Sequence, residues 1–443
     1  MPLGGLERVV QAMYLRPSQT RLPASRFLAG FRHPTGERKR VLMATVLALV
    51  GMEGRDGHLA AAARHYRGYA RWTEVLLCSA VILHSAEQSA ADQNFLADAL
   101  RSGHENEVWH GNLLTHVIAL HALRTFDPDG ALLREGSAAL VRTMNPDGGV
   151  PFLAAQDIWV SSLAGQALGG APGAGHAISR IGEFVAARQL SDGGWGYCQN
   201  TTQSDVDDTS QCVAFLQTLN PDRYRGAVAR GRSYLLQREC PAGGFPTYAS
   251  EDPAEPDLTA GAVISLAPEP TAAEAVGRAV GFLLAAQKPN GTFELSWTRS
   301  ESSVLWHVVQ ALRAAERCCP HRVSEMRAAV KWAVSRLADT QNEDGGWGQH
   351  PEAPSDAIST SHAVRLLAHR DPGRTARALD HLLASRGTDG HFASVPDQVG
   401  PRPLPFEHPI LTDVHVLSAL EGALRTSEDH SSPAAAPPRS HRR

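Results

Sequence analysis

The chain has 443 residues, room for two or three average domains or for one large helical barrel with an appendage. Its 42 basic and 46 acidic side chains nearly cancel, which leaves no nucleic-acid footprint, and only Lys39, Lys288 and Lys331 are lysines. The cysteines (Cys78, Cys198, Cys212, Cys240, Cys318 and Cys319) form no C-x-x-C pair and read as reduced thiols of a cytoplasmic protein.

Residues 1–11 carry Glu7 and Arg8 in place of an apolar signal core. The longest apolar run, Val41 to Met52, is too short to span a bilayer. Helical patterning recurs over Tyr69–Leu83 and Asn112–Leu123, so residues 1–150 are expected to form an N-terminal helical domain. Arg32-His33 and Glu37-Arg38-Lys39-Arg40 read as a solvated charge run or as partners for phosphate oxygens. Glu105 to His110 is followed by His116 and His121, which lack the i, i+4 spacing of a zinc pair and read as polar edges of a packed helix.

From about residue 130 the chain cycles through helix, Gly-rich turn, aromatic and second helix. Gly149, Gly194, Gly244, Gly291, Gly346 and Gly390 mark the turns at intervals of 44 to 55 residues, enough for two helices and two loops. Six helix pairs of this kind close into a double ring. The predicted architecture is all-α: an (α/α)6 barrel over residues 151–426 and a disordered Ser/Pro/Ala-rich tail at 427–443. Inner helices are expected to begin near Asp157, Asp208, Asp257, Ser302, Ser359 and Pro409, and outer helices to be the segments ending at the Gly turns. Trp195 and Trp347 sit in turns and read as clasps. Trp159 and Trp306 on inner helices, and Trp297 just before one, are placed to line a pocket or to pack in the core.

One helix start is unusual. Asp205-Val206-Asp207-Asp208 sets three carboxylates at the head of an apolar helix. Acidic residues suit a helix N-terminus, and Ser204-x-x-Asp207 is an acceptable cap, so a purely structural role is the plain alternative. Each ionised neighbour makes the next ionisation costlier, however, and one member is then held protonated near neutral pH. A neutral carboxylic acid facing an apolar cavity is what protonation of an unactivated alkene requires.

These residues match the DxDD signature of class II terpene cyclases. The helix ends at Gln189, Gln237, Gln287 and Gln341, each followed by a Gly turn and Trp or Phe, resemble the QW repeats of that family. The window Gly193 to Asn220 looks like the stretch of squalene-hopene cyclases that carries the proton donor. The resemblance makes Asp207 the general acid and Asp205 and Asp208 its charge-setting neighbours. Asp257, in the segment Glu255-Pro256-Asp257-Leu258-Thr259-Ala260, joins Trp159, Trp297 and Trp306 as expected substrate contacts. Three departures stand out. Gly261 occupies the place of a family His that orients the acid, so the partner of Asp207 is a water, Asp257 or a side chain from another helix. The chain has only 8 Trp, 7 Tyr and 12 Phe, and Thr298 to Val304 lacks the family's tyrosine, which points to a short cation cascade. Finally, about 150 residues precede the barrel, a reduced version of the second barrel of larger relatives.

The resemblance implies protonation-initiated cyclisation of a linear prenyl diphosphate, geranylgeranyl or farnesyl, to a mono- or bicyclic product that keeps its diphosphate. It also implies Mg²⁺, with no ligand assigned. The DDxxD cluster that ionises diphosphates is absent, since Asp207-Asp208 is followed by Thr209-Ser210-Gln211. Such a substrate is compatible with peripheral membrane contact; nothing in the sequence fixes an oligomeric state. Rival readings are a hopene-type triterpene cyclase, a protein prenyltransferase β-subunit recruiting Asp208, Cys212 and His362 for zinc, and a non-catalytic helical toroid.

Overall fold

The computed structural model describes residues 28, 36–49, 65–84, 89–103, 107–400 and 405–431. Arg32, His33, Glu105, Asn106, the end of the Val41–Met52 run and the tail beyond 431 lie outside the described residues.

Among the described residues five helices come first: α1 (Gly36–Leu49), α2 (Arg71–His84), α3 (Ala90–Arg101), α4 (Leu113–Leu123) and α5 (Ala131–Arg142). α2 packs on α1, α3 and α4 and buries a run of apolar side chains, Val75, Leu76, Leu77 and Ile82 among them. With Met43, Leu47, Leu96 and Ile118 these form one core, each large aliphatic side chain contributing about 1.5–3 kcal/mol on burial. Phe152 and Phe406, from beyond these helices in sequence, join it with ring centroids 5.2 Å apart, so this unit sits on the rest of the chain. His116 is a buried polar link: its Nδ1 accepts from Trp109 N at 3.0 Å and its Nε2 donates to Gly136 O at 3.0 Å.

Six inner helices follow: α6 (Asp157–Ala167), α8 (Val206–Leu219), α10 (Pro256–Leu266), α12 (Glu301–Ala315), α14 (Ala357–Leu367) and α16 (Pro409–Ser431). Each packs on the next and α16 packs back on α6, which closes the ring. Outside them lie α7 (Gly175–Ala186), α9 (Arg225–Gln237), α11 (Ala273–Ala286), α13 (Val323–Ala338) and α15 (Pro372–Ala384). The expected sixth outer helix is a correction. α5, which precedes the first Gly turn, packs on α3 and α4 instead, with Val141 and Met144 left exposed. Met144 stands where the other turns place Gln or Arg, so nothing ties α5 into the outer ring.

The ties are visible elsewhere. Gln189 Nε2 donates to Gly193 O at 2.7 Å and to Ala227 O at 2.8 Å on the next outer helix. Gln287 bridges Gly291 O and Ala329 O, and Gln341 bridges Gly345 O and Arg374 O, in the same way. Gln237 makes only a 3.5 Å contact with Ser233 on its own helix. Trp195 and Trp347 are buried clasps, donating from Nε1 to Val185 O and Leu337 O at 2.8 Å. Gly193 has φ +92° and a Cβ there would stand 2.7 Å from Arg230 O, so only glycine fits.

Candidate active site

The acidic helix start is set by local hydrogen bonding. Asp205 caps α8 in extended conformation and accepts from Asp208 N at 2.8 Å. Asp205 N donates to Trp195 O and Val206 N to Thr247 O, which pins the cap between two neighbouring turns. Asp207 and Asp208 therefore occupy the first turn, where the helix dipole favours carboxylate by at most about 2 kcal/mol. Burial outweighs that preference. The Asp207 carboxyl is pushed up to about 8, first by burial and then by the charges of Asp257 and Asp205. Burial pushes Asp205 up to about 6 against its hydrogen bonds from Asp208. Asp208 is driven well above the carboxylate range by burial and by Asp205, and its Oδ1 has no partner.

Two cavities meet at Asp207. The first, about 110 Å³, is open to one side and is walled by the N-terminal unit, the Gly-turn loops and the inner-helix starts. Asp205, Asp207 and Asp208 form its acidic wall; Trp72, Phe152, Trp159, Tyr197, Tyr248, Trp297 and Phe406 supply aromatic faces. The second, about 400 Å³, runs down the barrel toward the C-terminal ends of the inner helices and is polar, with Ser210, Gln211, His307, Gln310 and Arg365 on its wall.

Trp159 and Trp297 line the first cavity. Trp297 Nε1 donates to Thr247 Oγ1 at 3.0 Å, and the Lys39 ammonium lies 4.7 Å from its ring while pairing with Glu255 at 2.9 Å. Trp306 lies beyond Asp207 on the second cavity, because residue 306 is more than a turn into α12. Asp257 is not among the residues that line either cavity; it holds His307, Oδ1 to Nδ1 at 2.7 Å.

His307 is the residue sequence reasoning missed. Burial opposes charging its ring, yet Asp257 and then Asp207 outweigh this and lift the imidazole above its ordinary value. The ring fills space left by Gly261: a Cβ at that glycine would stand 3.4 Å from His307 Cε1. The empty position at 261 was the available signal, since a missing side chain on one inner helix leaves room for one from the next. Tyr197, Tyr248 and Trp72 were also missed. Tyr197 donates to His110 O at 2.6 Å, docking the first cavity's wall on the N-terminal unit, and His110 holds φ 50°, a strained value for a non-glycine. Asp208, Cys212 and His362 are not gathered as a zinc site; no cluster of three His, Cys, Asp or Glu suited to a metal occurs among the described residues.

Residues 249–394 match the family described as the squalene-hopene cyclase C-terminal domain. The chain is 38% identical over 425 residues to a drimenyl diphosphate synthase of Streptantibioticus cattleyicolor, covering 90% of this chain and 79% of that one. A second drimenyl diphosphate synthase, from Streptomyces showdoensis, is 37% identical over 90% of this chain and 76% of its own length. The fold is shared with ent-copalyl diphosphate synthase from Streptomyces platensis (TM-score 0.54, 16% identity, 95% of this chain and 92% of that chain). It is also shared with a type II terpene cyclase from Scytonema (TM-score 0.51, 19% identity, 75% of this chain and 99% of that chain). Acidic helix start, aromatic cavity, Gln-Gly-Trp clasps and relatives together show that this chain belongs to the class II terpene cyclase family.

Proposed function

We propose that the chain cyclises farnesyl diphosphate to a bicyclic diphosphate of the drimenyl type, with Asp207 as the proton donor. The observation that carries this is the position of Asp207, a carboxyl held up to about 8 between an aromatic apolar cavity and a polar lumen. Its proton passes to the terminal alkene carbon, leaving a tertiary cation; two internal alkenes close two rings in turn, and loss of a proton ends the cascade. Atoms balance as an isomerisation. No C–O bond breaks, so the diphosphate stays. The faces of Trp159, Trp297 and Tyr248 stabilise the passing cations. His307, fixed by Asp257, acts as a positioning residue: its raised positive charge beside Asp207 favours the carboxylate left after proton transfer.

Seven aromatic side chains gather in one cavity despite the chain's low aromatic content, which supports a short cascade and not a hopene-length one. Mg²⁺ remains an expectation tied to the diphosphate. The described residues offer it no protein cage. The site residues, the 1–150 and 151–426 division and a cytoplasmic location are part of this proposal; unpaired cysteines support the last, and no described helix is long and apolar enough to cross a membrane.

The test is product analysis. Purified protein is incubated with farnesyl diphosphate, geranylgeranyl diphosphate and squalene, with Mg²⁺ and with EDTA. A bicyclic alcohol extracted only after phosphatase treatment, from farnesyl diphosphate in preference to the longer chain, is expected. Free hydrocarbon without phosphatase, or turnover of squalene alone, overturns the proposal.

A further inference from the structure

The polar lumen below Asp207 holds a cation with no counter-ion. Arg365, near the end of α14, is enclosed in the barrel, its guanidinium carbon 3.6 Å from the centroid of the Trp306 ring. It makes no ion pair or hydrogen bond with any described residue, and burial alone depresses it, to about 9. Its charge is felt by the neighbouring His307, His362 and His415. The inner-helix C-termini point toward this end, and their dipoles offset part of the cost of a buried cation. Dipoles do not occupy donors, however. A guanidinium has five N–H groups in a fixed fork; that of Arg365 is half-buried against the Trp306 ring, and its donors face the lumen with no protein acceptor.

The wall around the fork suits an oxyanion. Gln211 and Gln310 line the same cavity, Gln211 Nε2 is a buried donor without an acceptor, and His307 is held toward its charged form. The carboxylates on this wall are Asp207 at the top and Glu421 at the bottom, where Glu421 lies 3.6 Å from Arg425. About 400 Å³ admits an ion of phosphate size with water. We infer that the barrel lumen is a binding site for a small oxyanion of the phosphate class, held by the Arg365 fork and separated from the substrate cavity by Asp207.

Binding is measured directly on the full-length protein without substrate, so the readout does not depend on cyclisation activity. Inorganic phosphate and sulfate are titrated calorimetrically in a low-salt buffer free of both, with chloride at matched ionic strength as control. One site for phosphate is expected, together with a melting temperature that rises with phosphate concentration, as ligand linkage requires. Arg365→Met keeps the apolar stem and removes the fork. It should abolish the phosphate dependence and melt above wild type in the phosphate-free buffer, because a half-buried unpaired charge is gone. Should that variant fail to fold, Arg365→Lys retains the charge but not the bidentate geometry and should bind at least about tenfold more weakly. Absence of phosphate binding to wild type up to about 10 mM, or unchanged affinity in either variant, overturns the inference.

Discussion

The turn and helix start over residues 189–209 and those over 341–360 are built from the same parts. In both, a Gln bridges its turn to the next outer helix, and an Asp (Asp192, Asp344) accepts from the second following N–H and from a serine. In both, a buried Trp donates through its ring to the preceding outer helix, and its backbone N–H goes to an inner-helix threonine at 2.9 Å. Each inner helix is capped by an aspartate, Asp205 or Asp356, accepting from the N–H three residues on at 2.8 Å. The copies part in the first turn of the inner helix. Where α8 has Asp207 and Asp208, α14 has Ile358 and Ser359. The repeat thus supplies a rigid, buried helix start, and on α8 two carboxylates are added to it with the cap and the Trp clasp unchanged.

The sharpest way to break this comparison is to remove the difference. Asp207→Asn keeps the shape but not the transferable proton, and turnover should fall by about 10³-fold or more. At the matched position, Ile358→Val should leave turnover within about twofold while costing about 0.5–1.5 kcal/mol of stability. Steady-state cyclisation assays on both variants decide it: a near wild-type Asp207→Asn, or an Ile358→Val as damaging, would show that the acid is not where the copies differ.

A smaller effect belongs to the residue that the neighbouring copy contributes. His307→Ala should lower turnover about tenfold to a hundredfold. Because His307 lowers the Asp207 value, its loss should also move the basic limb of the pH profile upward from its wild-type position near 8. A merely structural role would reduce rate or stability without moving that limb. His307→Gln, able to keep a hydrogen bond to Asp257 but not the charge, should recover part of the rate and none of the limb.

The barrel was legible because its signals are local: glycine turns, Gln clasps and helical periodicity each act within a few residues. Inner-helix starts expected near 157, 208, 257, 302, 359 and 409 lie at 157, 206, 256, 301, 357 and 409. The acidic helix start was legible for the same reason, three carboxylates in one turn. What escaped notice depends on pairing distant segments. His307 is tied to Asp257 across 50 residues, and Trp72 and Phe406 meet Tyr248 and Phe152 only when the N-terminal unit docks on the barrel. Helical spacing tells which face a residue occupies but not how deep along the barrel it sits, and the depth that sets Trp306 on the second cavity was therefore not legible.

A third measurement asks whether the shared parts are equal in strength. Thr209→Val and Thr360→Val each strip the acceptor from a buried Trp N–H, so each should cost about 1–3 kcal/mol in urea denaturation. Values differing by more than that range would mean that the two clasps, alike in geometry, carry different loads.

The smallest effect concerns stability at the catalytic copy. Asp207 has a folded-state value near 8 against an ordinary 3.8, so the folded chain keeps a proton that the unfolded chain releases. Its contribution to stability is therefore fully present below the ordinary carboxylate value and is lost as pH rises through about 8. Asn carries no such proton. Asp207→Asn should melt close to wild type near pH 5 and progressively above it, by a few degrees, toward pH 8, a trade of stability against function. No comparable trend is expected for Ile358→Val, whose side chain does not titrate. A melting difference for Asp207→Asn that stays constant across this range would place the aspartate's titration below it, and the acid would then be ionised before any alkene arrived.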